Sequence, residues 1–411
     1  MKLASQAGKL FAAAVVLSAS IAAPAATPTF TTLYSFTAGA DGGYPQGTLA
    51  IDENGVLYGT TRGGANGVGN VYSMTPPSSP GGSWTQRVLY SFTGGSDGRF
   101  PFSGVVRGPG GALYGVTAEG GANEGGVVFA VTPPASSGES WTENVLYNFT
   151  SGSDGGYPTQ ALVRGSDGTL YGTTIYGGAN NGGVVFALSP PSSPGASWTE
   201  HVLFSNSSLG FPIGLTYFGG RLYGGIQGNG STKGAIFSLT PPTAGGGAWT
   251  WDAVYRFTGG SDGGDPLANL VGSPDGVLYG TTYSGGAFGY GTAFSLTPPA
   301  TAGAAWTLTT IYNFTQDGGG WGDSLLLVPG SGVLFGAANG AGYQDNGALF
   351  ELSPPGSAGG AWTYTTLHYF PQQGSDDFPG GGLTVGPGRV LYGVTFGGGI
   401  YTFGSVFALQ L

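Results

Sequence analysis

Hydrophobic and polar residues alternate in short runs along most of the chain, and no stretch has the spacing of an amphipathic helix. A representative unit contains four runs of strand length, at residues 161–164, 170–174, 184–188 and 202–204. Gly, Asp, Asn and Pro separate these runs, as in tight turns and loops. The pattern predicts a meander of four antiparallel strands.

Both faces of the predicted sheet carry apolar side chains. In the third strand, alternation places one set on one face and a second set on the other: Val184, Phe186 and Leu188 against Val185 and Ala187. In a fourth strand, strict alternation predicts a shared face for Trp141, Val145, Tyr147 and Phe149, with Leu146 opposite. Such a sheet must be covered on both sides, as in blades that stack around an axis.

The unit occurs seven times along the chain. Its anchor is an aromatic residue followed by Gly, which recurs every 52 to 57 residues at Tyr58, Tyr114, Tyr171, Tyr223, Tyr279, Phe335 and Tyr392. Seven four-stranded copies predict an all-β fold, a seven-bladed β-propeller, as a single domain at residues 27–411. The predicted blades are residues 44–92, 101–149, 158–206, 212–257, 266–314, 322–370, and 379–411 with 28–36.

The two chain ends predict how the ring closes. The seventh copy stops after its third strand, and residues 29–36 match the outer strand at residues 363–370 at five of eight positions. The N-terminal strand is therefore expected to complete the last blade. Closure of this kind removes two open sheet edges, which would otherwise pair with other chains.

Composition and charge exclude several classes of function. The 411 residues include 85 Gly and 27 Pro, no Cys, 21 Asp and Glu, and 11 Lys and Arg, with a net charge of -10. Because no basic cluster is present, nucleic acid is not expected as a partner. The lack of Cys excludes disulfides and cysteine catalysis. Aromatic residues make up 13% of the chain, which is enough to build a core.

Residues 1–26 read as a signal peptide. Lys2 and Lys9 form a basic start, residues 10–21 are apolar, and small residues follow, with a cleavage site expected between Ala22 and Thr27. The apolar run is too short for a convincing membrane span. The sequence thus predicts an exported protein, extracellular or periplasmic, without a membrane span, and we expect a monomer.

Three phrases of the sequence resemble a known bacterial repeat. They are LYSFTGGSDG at residues 89–98, DGTLYGTT at residues 167–174 and GANNGGVVF at residues 178–186. They are similar to the GloVer tandem repeat (a Gloeo/Verruco-type repeat) of exported choice-of-anchor proteins, and the resemblance covers residues 28–411. It implies an exported repeat protein of unassigned function, often with a C-terminal anchor. No hydrophobic tail follows the last repeat, so free secretion or periplasmic residence is expected.

A set of aspartates is the candidate metal site. One Asp recurs in the loops that lead from one blade to the next, at Asp41, Asp97, Asp154, Asp262 and Asp376. In a propeller these loops share one end of the channel with the loops between second and third strands. Two interpretations stay open: hydrogen bonds that cap the loop backbone, which is favoured, and a carboxylate ring that binds Ca²⁺. No other cofactor is expected.

Ligand recognition is expected where the repeats differ from one another. The position four residues after each anchor varies most: Arg62, Ala118, Ile175, Gln227, Tyr283, Asn339 and Phe396. Glu119 and Tyr176 follow in the same loops. The candidate ligand-binding residues are therefore Arg62, Glu119, Tyr176, Gln227, Tyr283, Asn339 and Phe396. Five aromatic-Pro pairs lie nearby, at residues 44–45, 100–101, 157–158, 211–212 and 378–379, and a packing role is favoured for them.

No catalytic residue is assigned. The GDSL string at residues 322–325 resembles an esterase nucleophile block, but it stands where other repeats begin an inner strand. The leading hypothesis is a non-catalytic binding or scaffold protein of the cell envelope that engages a glycan or a protein through its loop face. The alternative is an extracellular propeller enzyme, a polysaccharide lyase or hydrolase, with its site at the channel mouth.

Overall fold

The computed structural model describes residues 27–79, 81–136, 138–193, 195–205, 209–243, 247–301, 303–316, 321–328, 330–340, 346–357, 359–370 and 376–411. Residues 268, 269, 321, 323, 376 and 377 are described by their backbone alone. The predicted signal peptide, residues 1–26, lies outside the described residues. Residues 206–208, which distinguish the fourth repeat from the others in the sequence, also lie outside them.

Blades 1 to 3 are antiparallel sheets of four strands that follow one another along the chain. Blade 1 consists of β2 (Gly43–Ile51), β3 (Leu57–Gly63), β4 (Asn70–Thr75) and β5 (Thr85–Ser91). Blade 2 consists of β6 (Val106–Arg107), β7 (Leu113–Thr117), β8 (Val127–Thr132) and β9 (Thr142–Asn148). Blade 3 consists of β10 (Val163–Arg164), β11 (Leu170–Thr173), β12 (Val184–Ser189) and β13 (Thr199–Ser205).

Blades 4 to 6 have the same order of strands. Blade 4 consists of β14 (Phe211–Phe218), β15 (Arg221–Gln227), β16 (Ala235–Thr240) and β17 (Thr250–Arg256). Blade 5 consists of β18 (Gly264–Gly272), β19 (Leu278–Ser284), β20 (Thr292–Thr297) and β21 (Thr307–Asn313). Blade 6 consists of β22 (Trp321–Leu327), β23 (Leu334–Asn339), β24 (Ala348–Ser353) and β25 (Thr363–Tyr369).

Blade 7 joins the two ends of the chain, as the sequence predicts. It consists of β26 (Asp376–Pro379), β27 (Thr384–Gly386), β28 (Val390–Gly398), β29 (Ser405–Gln410) and the N-terminal β1 (Thr29–Ser35). Strand β1 pairs with β29 from Thr29 opposite Gln410 to Ser35 opposite Ser405. Short 3-10 turns occur at Pro109–Gly111, Ala179–Asn181 and Pro387–Arg389. The prediction of an all-β, seven-bladed propeller closed by its N-terminal strand is confirmed. No helix of the described residues is long and apolar enough to cross a membrane.

The Gly of each aromatic-Gly anchor lies under an aromatic ring of the third strand. Gly172 pairs with Phe186, and a Cβ atom on Gly172 would lie 2.4 Å from Cζ of that ring. The other blades repeat this pairing: Gly59 with Tyr72, Gly115 with Phe129, Gly224 with Phe237, Gly280 with Phe294, Gly336 with Phe350, and Gly393 with Phe407. Any side chain at the Gly would collide with the ring, so the anchor motif is a packing requirement.

A Trp residue joins most pairs of neighbouring blades. Trp198 of blade 3 packs edge-on against the anchor Tyr114 of blade 2, with ring centroids 5.9 Å apart. Five other interfaces repeat the contact: Tyr58 with Trp141, Tyr171 with Trp249, Tyr223 with Trp306, Tyr279 with Trp362, and Tyr392 with Trp84. Pro28 stands at the corresponding position before β1, and a cavity of about 310 Å³ lies there between blades 6 and 7.

The third strands have the predicted alternation. Val184, Phe186 and Leu188 pack in the core between blades 2 and 3. Val185 and Ala187 pack in the core between blades 3 and 4. Each blade is therefore covered on both faces, which is what the apolar pattern of its third strand requires.

The outer strands depart from strict alternation. Val145 pairs with Phe129, whereas Tyr147 pairs with Val128, because a β-bulge inserts Leu146 between them. A register shift at the same place occurs in the outer strand of every blade. The bulge moves the second half of the strand to the opposite face.

The bulge overturns one prediction from the sequence. Trp141 and Val145 pack in the core between blades 1 and 2. Tyr147 and Phe149 instead pack in the core between blades 2 and 3. The expectation that all four share one face was wrong, since one inserted residue reverses the alternation of every residue after it. Each outer strand thereby contributes to two interfaces.

Candidate functional site

Four of the five candidate metal ligands hold the loops that lead from blade to blade. In the loop after blade 2, Oδ2 of Asp154 accepts hydrogen bonds from the Tyr147 hydroxyl at 3.0 Å and the Thr150 N–H at 2.9 Å. Oδ1 of Asp154 accepts another from the Thr150 hydroxyl. The same bonds surround Asp41, Asp97 and Asp262. These contacts support loop capping by the aspartates.

The fifth candidate metal ligand, Asp376, is described by its backbone alone, so its side chain cannot be placed relative to the other four aspartates. Asp376 lies in β26, opposite Gly398. Among the described residues, no group of three or more His, Cys, Asp and Glu is placed to hold a metal ion. Calcium binding by these loops stays a prediction from the sequence.

Two Glu residues lie between blades, beside these loops. Glu143 of blade 2 lies near Asp97 of the preceding loop, and Glu200 of blade 3 lies near Asp154. Oε1 of each Glu is buried, without a hydrogen-bond partner among the described residues. Burial, and secondly the charge of the neighbouring Asp, raise the pKa of both Glu side chains to about 7.

These raised pKa values predict that stability falls as the pH rises. An unfolded Glu titrates near pH 4.5, so between about pH 4.5 and 7 the folded protein binds more protons than the unfolded chain. The stability from the protonated Glu residues is fully present below this window and is lost as the pH passes 7. Replacing both residues by Gln should therefore raise the melting temperature at pH 8, by about 2 °C or more.

The difference in melting temperature between the E143Q/E200Q variant and the parent, measured by calorimetry from pH 4.5 to 8, isolates this effect. His368 acts in the opposite sense, because burial lowers its pKa to about 4, so acid costs stability at that site in both proteins. A variant that melts with the parent across the whole range would contradict the assignment. The exposed Glu139, which takes part in none of the ion pairs among the described residues, provides a matched E139Q control.

The Pro of each aromatic-Pro pair fills a constant joint between blades. A Cβ atom on Gly126 of blade 2 would lie 2.8 Å from Cδ of Pro158 of blade 3. Equivalent contacts link Pro45 with Gly404, Pro101 with Gly69, Pro212 with Gly183, and Pro379 with Gly347. These contacts account for the recurrence of Pro in the repeat.

The aromatic half of the pair has a different environment. Four of these residues adopt a left-handed backbone conformation: Tyr44 (φ 57°), Phe100 (φ 59°), Tyr157 (φ 59°) and Phe378 (φ 51°). The N–H of each donates to a carbonyl in a loop of the preceding blade, as Tyr157 does to Gly125 at 2.8 Å. This conformation is uncommon for large side chains and is imposed by the loop. Tyr44 and Phe100 line a pocket beside Arg62, and Phe378 lines the cavity of the central channel.

Six aromatic side chains form a band on this loop face, which we call the aromatic band: Phe396, Tyr44, Phe100, Phe102, Tyr157 and Tyr176. Ring centroids lie 5.2 Å apart for Tyr44 and Phe396, 6.5 Å for Phe100 and Phe102, 6.3 Å for Phe102 and Tyr157, and 5.4 Å for Tyr157 and Tyr176. The band crosses blades 7, 1, 2 and 3. Tyr176 at its end is 49% exposed.

Arg62 lies where the Tyr44–Phe396 pair meets the other four rings of the band, since it shares a pocket with Tyr44, Phe396 and Phe100. Its guanidinium carbon lies 4.8 Å from the Phe102 ring centroid and 5.7 Å from that of Phe100. Together with Tyr44 and Phe396 it lines a pocket of about 240 Å³. Arg62 is exposed, and it takes part in none of the ion pairs among the described residues. The band thus carries one cation that is open to an anionic ligand.

Glu119 lies beside the band but is already paired. Its Oε2 accepts a hydrogen bond from Nε of Arg99 at 3.0 Å. Arg99 also reaches Glu124, with Nη2 3.0 Å from Oε2. Burial and the charge of Glu119 raise the pKa of Tyr157, whereas Arg62 lowers it. Glu119 and Arg62 therefore both act on the same ring of the band.

The remaining candidates lie apart from the band. Gln227 ends β15 opposite Phe211, and Tyr283 lies near the end of β19 of blade 5, where it is 41% exposed. Beyond Tyr176, a cleft of about 480 Å³ opens between the loops of blades 3 and 4. Asn339 faces the central channel. Of the seven candidates, Tyr176 and Phe396 belong to the band, and Arg62 and Glu119 lie beside it.

Sequence analysis found Asn339 and Phe396 in the wall of the central channel but missed the other residues that line it. A cavity of about 500 Å³ lies there, lined by residues of blades 1, 2, 3, 6 and 7. Gln46, Phe102 and Ser103 contribute to its wall. The available signal was variability after the constant Pro, where Gln46 and Phe102 occupy the same position of two repeats.

The GDSL string is part of the channel wall. Ser324 lies inside β22 and lines the cavity, so it does not occupy the strand-to-helix turn of an esterase nucleophile. The ring of His368 stacks on Phe30 of β1, with centroids 3.9 Å apart, in an outer strand. His201 is in the outer strand β13. These positions support the interpretation of the string as an inner-strand sequence.

Comparison with known families identifies the repeat. A family described as the Gloeobacter/Verrucomicrobia repeat matches residues 19–231 and again residues 194–407. A search of curated protein sequences found no match.

Solved structures share the fold at low sequence identity. A protein from Lactobacillus plantarum is 16% identical with a TM-score of 0.53, over 83% of this chain and 88% of that one. The polysaccharide lyase Uly1 is 13% identical with a TM-score of 0.52, over 89% and 90%. A glucose dehydrogenase is 15% identical with a TM-score of 0.46, over 93% and 99%. At these identities, the likeness to the Lactobacillus plantarum protein and to Uly1 concerns the propeller fold alone.

Proposed function

The chain belongs to the Gloeobacter/Verrucomicrobia repeat family, and we propose that it is a non-catalytic propeller that binds an acidic glycan on its loop face. The observation that carries this proposal is the aromatic band with Arg62 at its centre. Four consecutive blades contribute rings to the band. Ring centroids lie 5.2 Å apart in the Tyr44–Phe396 pair and 5.4 to 6.5 Å apart along the other four rings, and Arg62 shares a pocket with both parts.

The chemistry of the band fits a sugar chain. Aromatic rings offer flat apolar surfaces on which the C–H faces of sugar rings stack, and tyrosine adds a hydroxyl at the edge of that surface. The rings are preorganised, because backbone hydrogen bonds fix Tyr44, Phe100 and Tyr157. The planar guanidinium of Arg62 matches a carboxylate or sulfate group with two parallel hydrogen bonds.

The dimensions of the site favour a chain over a single sugar. The band crosses four blades and reaches the cleft of about 480 Å³ beyond Tyr176. Asn180, Asn181 and Asn229 line that cleft, and amide side chains both donate and accept hydrogen bonds. A glycan of several residues would contact the rings, Arg62 and the cleft together.

Binding is favoured over lyase or hydrolase chemistry by the state of the ionisable groups. A Tyr base would need a lowered pKa, whereas burial and Glu119 raise the pKa of Tyr157. Glu119 is held by Arg99 at 3.0 Å, which engages the carboxylate that an acid or base would use. The likeness to the lyase Uly1 concerns the fold, so the preference for binding over catalysis rests on Tyr157 and Glu119.

The proposal predicts that Arg62→Ala and Tyr176→Ala weaken glycan binding without affecting folding. Each should reduce affinity for an acidic oligosaccharide by about tenfold, since Arg62 supplies the cation at the centre of the band and Tyr176 supplies its most exposed ring. Arg62→Ala should leave the affinity for neutral oligosaccharides nearly unchanged. Screening on a glycan array of acidic and neutral oligosaccharides, followed by calorimetric titration, measures both effects.

Tyr401→Ala is the matched control. Tyr401 is 51% exposed, close to the 49% of Tyr176, and lies in a loop of blade 7 outside the band. Its removal should leave affinity unchanged. If Arg62→Ala and Tyr176→Ala bind like the parent while Ser79→Ala or Ser193→Ala in the opposite Pro-Pro loops abolishes binding, the assignment of the loop face is wrong.

The proposed location is outside the cytoplasm. Residues 1–26 have the basic start, apolar run and small residues of a signal peptide. Extracellular glycans would be available to an exported protein. Mass determination of the protein released by a bacterial host, with a first residue between Ala23 and Thr27, tests this part of the proposal.

A further inference from the structure

The central channel holds a cavity of about 500 Å³ that the aromatic band leaves open. Residues of blades 1, 2, 3, 6 and 7, in or beside their first and second strands, form its wall. Its volume falls within the range of roughly 300 to 1,000 Å³ that is usual for small-molecule sites. The space is large enough for one sugar residue together with ordered water.

Four polar atoms of the wall are buried and unpaired. They are Oε1 of Gln46, Oγ of Ser103, Oγ of Ser324 and Oδ1 of Asn339, and none has a hydrogen-bond partner among the described residues. Ser103 is only 5% exposed. Buried polar groups are almost always hydrogen-bonded in folded proteins. Four such atoms around one cavity therefore indicate a polar occupant.

The wall indicates the charge and shape of this occupant. Among the described side chains that line the cavity, none is charged. Blade 7 contributes Gly380, Gly381 and Gly382 at positions where blade 1 has Gln46, Gly47 and Thr48, and the missing side chains leave room beside them. Hydroxyl and amide groups pair with neutral hydroxyls, so a sugar residue without a charged group fits this surface.

The cavity is continuous with the aromatic band. Phe396 lines both the cavity and the Arg62 pocket. Phe102 lines the cavity and stacks with Arg62 and Tyr157. A chain that lies on the band therefore passes these two rings before it reaches the four unpaired atoms.

We propose that the channel binds the neutral terminal residue of the glycan, so that the propeller recognises the end of a chain. This inference rests on the proposed function and adds the orientation of the bound chain. The charged part of the ligand lies at Arg62, and its uncharged end lies in the channel. A chain bound along its middle would leave the four polar atoms to water.

The test compares a channel variant with blocked ligands. The S103A/S324A variant removes two of the unpaired hydroxyls, and because neither has a partner, its melting temperature should match that of the parent. The ligand is the best-binding acidic oligosaccharide of the array. It is also prepared in two blocked forms, one O-methylated on its non-reducing terminal residue and one reduced to the alditol at the other end.

We expect one blocked form to bind the parent about tenfold more weakly than the free oligosaccharide. The S103A/S324A variant should bind the free oligosaccharide about tenfold more weakly as well, and should not distinguish the free form from that blocked form. S79A/S193A, with the same substitutions on the opposite face, should bind like the parent.

The outcomes separate the two proposals. If both blocked forms bind the parent as tightly as the free form, or if S103A/S324A binds like the parent, water fills the channel and the inference of end recognition is overturned. Weakened binding by R62A and Y176A in that same experiment leaves the loop-face proposal standing. Failure of the parent to bind any oligosaccharide overturns both.

Discussion

Removal of residues 27–36 is expected to lower the melting temperature by more than about 10 °C or to make the protein aggregate. This segment contains β1, the outer strand of blade 7, whose Phe30 packs against His368 and Phe407, and it also contains Phe36, which is fully buried. Each large aromatic lost from a core costs about 3 to 5 kcal/mol. The deletion also exposes the edge of β29.

The comparison should use the mature chain starting at Thr27 and a chain starting at Thr29, which keeps all of β1. The second protein should melt close to the first, because Thr27 and Pro28 precede the paired residues. Calorimetry and light scattering measure the two effects. An unchanged melting temperature after loss of residues 27–36 would show that β1 does not close the ring.

The sequence alone predicts the propeller because its constraints repeat. The same Gly must lie under the same ring in every blade, as Gly172 lies under Phe186. The same Trp must reach the preceding blade, as Trp198 reaches Tyr114. Each constraint leaves its residue type in the chain at a fixed period, so even one strand missing at the C-terminus is evident.

The outer-strand bulge is harder to predict, although it leaves a trace. Val145, Leu146 and Tyr147 are three consecutive apolar residues, which strict alternation with one polar face does not produce. Their pairing with β8 decides which of them is inserted. That choice depends on the two cores on either side of the blade, and a single repeat carries no information about its neighbours.

The candidate site is only partly visible in the sequence for a related reason. Variability after the anchors points to Arg62, Tyr176 and Phe396, because a ligand must be read by what does not repeat. Phe102 and Ser103 were missed, since they precede the short inner strand of blade 2 and meet the others only when the ring closes. Which variable positions converge depends on the radius of the channel, a property of all seven blades together.

The second large effect is expected at the centre of a blade. Phe186→Ala should reduce the free energy of unfolding by about 3 to 5 kcal/mol, because the ring is fully buried and its loss opens a cavity beside Gly172. Phe288→Ala is the matched control. Phe288 is 61% exposed on a loop of blade 5, so its removal should cost less than about 0.5 kcal/mol.

A double-mutant cycle shows whether the Gly beneath the ring is the reason for the anchor motif. Gly172→Ala alone should be destabilising by about 1 to 3 kcal/mol, since its Cβ would lie 2.4 Å from Cζ of Phe186 and the ring must move. With Leu at position 186 the distal ring atoms are gone, so Gly172→Ala should cost less there than in the parent. Denaturant unfolding of the four proteins measures this coupling. If Gly172→Ala costs the same free energy of unfolding with Phe and with Leu at position 186, the backbone of the strand requires Gly172 and the Phe186 ring does not.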